Sequence, residues 1–265
     1  MSRIGFEQHQ AALRADGERM AAAAALAGMA SPVPSAPGWR VRDLLTHTGR
    51  VHRWAASYVR HGYDRPRPLE GDGELAAPDD ELLDWFLAGH AALLDTLASA
   101  DPAGTSWTLW KGAPSAREFW GRRQAHETAV HRVDAELALA AADGGPVAGG
   151  GLIEVAAEFA ADGLDELLAG FIALRSRTLV SPVPVTLAVR CGDVDAGWTV
   201  RIGPDSRAVT RAAEPADCVL VAPAADLYPL LWNRAAADEL RQAGRLRVDG
   251  DPAVLTLWRE RARIT

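Results

Sequence analysis

Lysine is all but missing from this chain. Of its 28 basic residues only Lys111 is lysine, and the rest are arginine. No block of basic residues stands out and the net charge is −7, so the electrostatic footprint of a nucleic-acid binder is absent. Cysteine is scarce too. Cys191 and Cys218 are too few for a disulfide framework and point to a reducing, cytoplasmic setting. No apolar run reaches the length of a bilayer span, since Ala21–Leu26 is short and nearly all alanine, which argues against a membrane role. The opening MSRIGFEQHQ lacks the basic-then-apolar order of a secretory signal. Histidine is missing from the second half. All seven histidines lie between His9 and His131, which places ligating and titratable chemistry in the first half.

What is present describes a folded chain. At 265 residues and 48% apolar content it has material for one large core or two ordinary ones. The excess of arginine and alanine suggests a GC-rich bacterial genome. The stretch DGGPVAGGG, Asp143–Gly151, suits neither helix nor strand and marks a linker, giving domains over 1–142 and 152–265.

Four helices are expected before the linker, at about Ile4–Leu26, Val41–His61, Asp79–Ser99 and Ser115–Ala141. Each carries an apolar stripe, such as Leu44, His47, Val51, Trp54 and Tyr58 in the second. Together they predict a four-helix bundle. After the linker a long helix, Leu152–Arg175, leads into short β-like runs at Val183–Arg190, Trp198–Ile202, Ala208–Thr210 and Cys218–Val221. Helices at Ala224–Gln242 and Pro252–Arg263 follow, with Leu246–Val248 between them as an edge strand. The fold class is thus α plus α+β: a helical bundle, then a smaller domain of helices flanking a mostly antiparallel sheet.

The chemistry concentrates in RRQAHETAVHRVDAE, Arg122–Glu136. Glu127 and His131 are four apart and so share one face of a helix, where a carboxylate and an imidazole can chelate a cation. Asp134, three residues on, can accept the second ring N–H of His131 and fix its tautomer. His126 is rotated about 100° from Glu127 and suits the site less. A Glu/His pair at this spacing on an exposed helix is more often a solvated salt link. His47 changes the balance, because it sits on the inward stripe of the second helix, where an unsatisfied imidazole is costly. A lone core histidine is usually just hydrogen-bonded. With the pair on the fourth helix, however, it supplies three ligands and leaves a position open, as catalytic zinc sites do.

Two segments carry a resemblance. GWRVRDLLTHTGRVHRWA, Gly38–Ala55, and FWGRRQAHETAVHRVDAE, Phe119–Glu136, resemble the signature segments of the actinobacterial mycothiol-dependent maleylpyruvate isomerase family. ADCVLVAPAADLYPLLWNR, Ala216–Arg234, and LRVDGDPAVLTLW, Leu246–Trp258, are similar to that family's C-terminal domain. The resemblance implies a DinB-like metal-binding bundle and a sterol-carrier-like α+β domain. It also implies a divalent metal, zinc by donor type, on His47, Glu127 and His131. It further implies mycothiol as the thiol cofactor and a small electrophile as the partner. In the family's founding reaction the thiol adds to a cis double bond, the single bond rotates, and elimination gives the trans isomer. The nucleophile is then external, which agrees with a bundle that holds no cysteine.

Other residues are candidates for substrate or thiol. Arg234, which resembles a family position near the domain interface, is the first cation for an anionic substrate and Arg247 the second. Trp54 is a candidate to line the cleft. Arg122 and Arg123 either meet polar groups of the thiol or pair with Glu118 and the neighbours of Glu127. Surface arginine and core tryptophan are the commoner fates. The cysteines read as small buried apolar residues. The leading function is a thiol-dependent isomerase or S-transferase. A metal-dependent hydrolase on the same site and a non-catalytic binder of small molecules or lipid stand as alternatives.

Overall fold

The computed structural model describes residues 4–69, 77–112, 114–144 and 155–262. The expected linker lies outside these residues from position 145 onward. Two compact units result, Gly5–Val147 and Ala148–Thr265, the latter with Met1–Ile4.

Among the described residues the first unit holds four helices: α1 (Phe6–Ala27), α2 (Val41–His61), α3 (Leu82–Ser99) and α4 (Ala116–Ala142). Local chemistry sets their ends. The Gly5 amide donates to Gln8 Oε1 at 2.9 Å, so α1 begins at Phe6 and not at Ile4. The expected third helix starts late, because Pro78–Glu81 closes as a turn (Glu81 N–H to Pro78 C=O, 3.0 Å). The Arg40 amide donates to Asp43 Oδ2 at 2.9 Å to open α2. Gly62, at φ 63°, closes it in the left-handed conformation that glycine tolerates. Ser115 Oγ accepts the Glu118 amide at 3.2 Å and opens α4.

The helices pack α1 against α4, and α2 against both α3 and α4. Leu13, Met20, Leu44, Leu45, Phe86 and Leu93 are fully buried between them, each worth about 1.5–3 kcal/mol over exposure. A Cβ on Gly17 would collide with the His90 ring, so that glycine makes room for a buried imidazole. Arg132 of α4 is fully buried and bridges Asp16 of α1 (3.0 Å) and Glu136 (2.7 Å).

In the second unit the expected Leu152–Arg175 helix is, where described, two segments. Ala157–Asp165 (α5) is α-helical and Glu166–Ile172 is π-helical. The apolar run Leu164, Leu167, Leu168 and Phe171 is compatible with either hydrogen-bonding pattern, so periodicity could not separate them. The sheet comprises β1 (Val185–Cys191), β2 (Gly197–Ile202), β3 (Arg207–Thr210), β4 (Cys218–Ala222) and β5 (Arg247–Gly250), in the order β3-β2-β1-β4-β5. Every pairing is antiparallel except β1 with β4. Leu187, Val189, Trp198, Val200 and Leu220 are fully buried. The expected Ala224–Gln242 helix is broken into α6 (Ala224–Leu231) and α7 (Ala237–Gln242). Asn233 takes φ 60° and the Arg234 amide reaches back to the Pro229 carbonyl at 2.7 Å. Asparagine accepts that left-handed turn, which an apolar pattern running through it conceals. The chain closes on α8 (Pro252–Arg261), opened by Asp251 Oδ1 accepting the Ala253 amide. Among the described residues no helix is long and apolar enough to cross a membrane.

Candidate metal centre

Helices α2 and α4 bring His47, Glu127 and His131 to one point. Glu127 Oε1 lies 3.4 Å from His47 Nε2 and 3.3 Å from His131 Nε2. One donor atom from each residue falls within 4.8 Å of the other two. The two imidazoles meet edge to face with ring centroids 5.2 Å apart. His47 is the most open member, with its side chain 31% exposed against 11% for His131, so the cluster sits at the border of the core rather than inside it.

Each donor on α4 is held from behind. Asp134, fully buried, accepts the Nδ1 proton of His131 through Oδ2 at 2.9 Å, and its Oδ1 accepts from Ser35 Oγ at 2.5 Å. That bond holds the Nδ1 proton in place and turns Nε2 towards Glu127, so that Nε2 is the nitrogen left to act as a ligand once its own proton is lost. Arg123, buried one turn before Glu127, donates Nη2 to the other carboxylate oxygen, Oε2. The electrostatics follow. Burial works against an ionised Glu127, but the Arg123 charge and the two histidines override it and hold the carboxyl well below its usual range. For His131 burial again opposes charge, yet hydrogen bonds to Asp134 and Glu127 raise its pKa to about 9.

The remaining candidates fall elsewhere. Trp54 donates its indole N–H to the Arg67 carbonyl at 3.0 Å and packs edge-on against Tyr58 and Trp120, in an aromatic cluster that also includes Trp107. His126 is fully buried and lies edge-on to His9 of α1. In the second unit, Arg234 donates to the Trp232 carbonyl at 2.7 Å, and Arg247, largely exposed on β5, pairs with Asp249 at 2.7 Å. Cys191 and Cys218 are buried. Burial, with Asp193 nearby, pushes the Cys191 thiol up to about 12. Burial, with Asp251 and Asp249, takes that of Cys218 to about 11.

Two residues of the site escaped sequence reasoning, Ser35 and Trp39. Both belong to the Pro- and Gly-rich stretch before α2, folded back by the Val33 N–H to Trp39 C=O bond at 2.9 Å and by Gly38 at φ 90°. The Trp39 ring lies over both site histidines, with centroids 5.1 Å from His47 and 6.3 Å from His131. The available signal was a large aromatic in a loop of small residues, which has to pack on something.

Comparison with known proteins now supplies the wider context. The profile described as Mycothiol maleylpyruvate isomerase N-terminal domain matches residues 10–136, and that described as MDMPI C-terminal domain matches 158–257. The chain belongs to the mycothiol-dependent maleylpyruvate isomerase family. Both halves of the resemblance seen in sequence are therefore established, and with them membership of an isomerase family. A crystal structure of the mycothiol-dependent maleylpyruvate isomerase shares the fold at TM-score 0.57 and 14% identity, over 87% of this chain and 91% of that one. A point mutant of that enzyme aligns over the same extents at 11% identity and TM-score 0.57. A UbiJ-SCP2 ubiquinone synthesis protein matches 38% of this chain and 91% of its own at 23% identity, with TM-score 0.30. No curated protein matches significantly.

Proposed function

We propose that the chain is a zinc-dependent enzyme that uses mycothiol to isomerise, or to transfer sulfur onto, a small electrophile. The observation that carries this reading is the convergence of His47, Glu127 and His131 in a chain of this family. The donor set fits the ion. Two bonds of about 2.0–2.1 Å at a tetrahedral angle hold their donor atoms about 3.3 Å apart, and the two separations from Glu127 Oε1 are 3.4 and 3.3 Å. Three protein donors with an exposed flank at His47 leave a fourth position for an incoming sulfur.

His47, Glu127 and His131 would hold a divalent cation, whose Lewis acidity would keep a bound thiol ionised at neutral pH for reversible addition to a double bond. The protein's own residues prepare that site. Asp134 holds the Nδ1 proton of His131, so that Nε2 is the nitrogen that would give up its proton to a cation. Glu127 is ionised under all ordinary conditions. Ser35 and Trp39 restrain Asp134 and the two imidazoles from the loop side. Cys191 and Cys218 are buried, and burial pushes their thiols up to about 12 and about 11, which disfavours the nucleophilic thiolate form. Arg234, then Arg247, are the candidates for an anionic substrate end.

The test is an assay of zinc-loaded protein on a panel of electrophilic cis-enoic and keto acids, with and without mycothiol. Turnover is expected only with the thiol, and the Cys191→Ser/Cys218→Ser double variant should keep it. Full activity without thiol, or its loss in the double variant, overturns the external-thiol reading.

A further inference from the structure

The two oxygens of Glu127 have different employment. Oε1 faces His47 Nε2 and His131 Nε2 at 3.4 and 3.3 Å. Oε2 is taken by the guanidinium of Arg123, which is 4% exposed and four residues earlier on α4. The pair lies on one helical face, so the helix itself keeps the two groups in register. A guanidinium buried to this degree cannot swing out to solvent and release the oxygen, and the fork geometry of arginine suits a carboxylate better than the point charge of lysine.

This matters for which cation the site accepts. A free carboxylate can close on a cation with both oxygens, a mode used by larger, oxygen-preferring ions such as calcium. The affinity of such ions also depends on the count of negative ligand charges. Arg123 opposes both: it occupies the second oxygen and offsets the carboxylate charge. A small cation with four ligands that favours imidazole loses little, because it needs one oxygen only.

We propose that Arg123 is a positioning residue that makes Glu127 a one-oxygen ligand, and so selects zinc-type ions over larger, oxygen-preferring ones such as manganese. The role rests on the reading of His47, Glu127 and His131 as a metal site. It differs from the thiol contact expected of Arg123 from sequence, and from a helix ion pair that serves stability alone.

Metal affinity of the full chain, not turnover, tests it. Chelator-stripped wild type, Arg123→Met and Arg123→Lys would be titrated with zinc against a chromogenic chelator. Manganese binding would be followed through the resonance signal of the free ion, with thermal melts checking that each variant folds. The Zn/Mn affinity ratio should fall about tenfold or more in Arg123→Met, the scale on which outer partners of metal ligands act. The drop should come mainly from tighter manganese binding. Arg123→Lys should show a smaller drop in the same direction, and carries the test if the methionine variant does not fold. An unchanged ratio in a folded variant that still binds zinc overturns the role of Arg123 while leaving the metal site intact. Wild type that binds neither ion overturns both.

Discussion

Two pairs of histidines in the same bundle end in opposite states. His47 and His131 converge on Glu127 at the border of the core, and carboxylates on two sides raise His131 to about 9. His52 and His90 lie deeper, their rings 5.5 Å apart, among Phe86 and the helix backbones. Among the described residues, His52 Nε2 meets only the Thr128 hydroxyl at 2.9 Å and its Nδ1 has no hydrogen-bond partner; His90 Nε2 donates to the Leu13 carbonyl at 3.0 Å. Burial is the largest influence on each and holds both below the usual imidazole value, His52 well below. Burial alone therefore does not decide what a histidine does. Carboxylates at hydrogen-bond range make one pair a ligand-like cluster and favour the charged form of His131, and among the described residues the other pair has none and serves as neutral packing.

The sharpest way to break this comparison is to delete one ring from each pair and count metal. His131→Ala and His47→Ala should reduce a stoichiometric divalent ion to a trace, while His52→Ala and His90→Ala, if folded, retain it. Elemental analysis after exchange into metal-free buffer decides. Stoichiometric metal in His131→Ala would mean that the two pairs do not differ as described.

Stability should divide the other way. Removing the His52 ring leaves a cavity and strands the Thr128 hydroxyl, a loss of about 2–4 kcal/mol in urea unfolding. His47→Ala, at the open edge, should cost the metal-free protein under about 1 kcal/mol. Equal losses at the two positions would argue that the deeper pair is not a packing element.

The smallest effect is the pH dependence of that stability in chelator-treated protein. His52 and His90 have folded values below 6.5, so the unfolded chain takes up protons first as pH falls. Their contribution is complete above about 6.5 and drains below it, by at most about 1.4 kcal/mol per pH unit for each ring. His131 has the opposite sign. Its folded value of about 9 supplies stability below 6.5 that is lost as pH rises from 6.5 towards 9. Metal-free protein should thus be most stable near pH 6.5, and bound metal should remove the alkaline loss, because a ligating imidazole carries no proton on the donor nitrogen. Denaturant midpoints from pH 5 to 9, with and without zinc, measure both limbs. An alkaline loss that survives in His131→Ala would assign it to another group.

Much of this was legible in the chain itself. The span of α2 and the shared face of Glu127, His131 and Asp134 follow from helix geometry, which repeats at about 100° and 1.5 Å per residue whatever surrounds it. The positions of the strands along the chain after residue 180, though not their order in the sheet, followed from short β-like runs separated by Gly, Pro and Asp. Local rules failed where two hydrogen-bonding patterns suit one apolar sequence, as at Glu166–Ile172, or where one residue adopts the left-handed conformation, as at Asn233.

Only the tertiary structure decided the rest. Arg123 stands four residues from Glu127, yet the spacing did not say whether its guanidinium would turn to the carboxylate or to a ligand; burial in the packed bundle settled it. Ser35 reaches Asp134, and Trp39 reaches His131, across about a hundred positions of sequence, through a loop whose path depends on how the helices pack. The approach of His47 to Glu127 is likewise a contact between helices. Spacing along one helix is fixed by covalent geometry and local hydrogen bonds. Contacts between elements are set by side-chain packing summed over the whole core, which no local pattern contains.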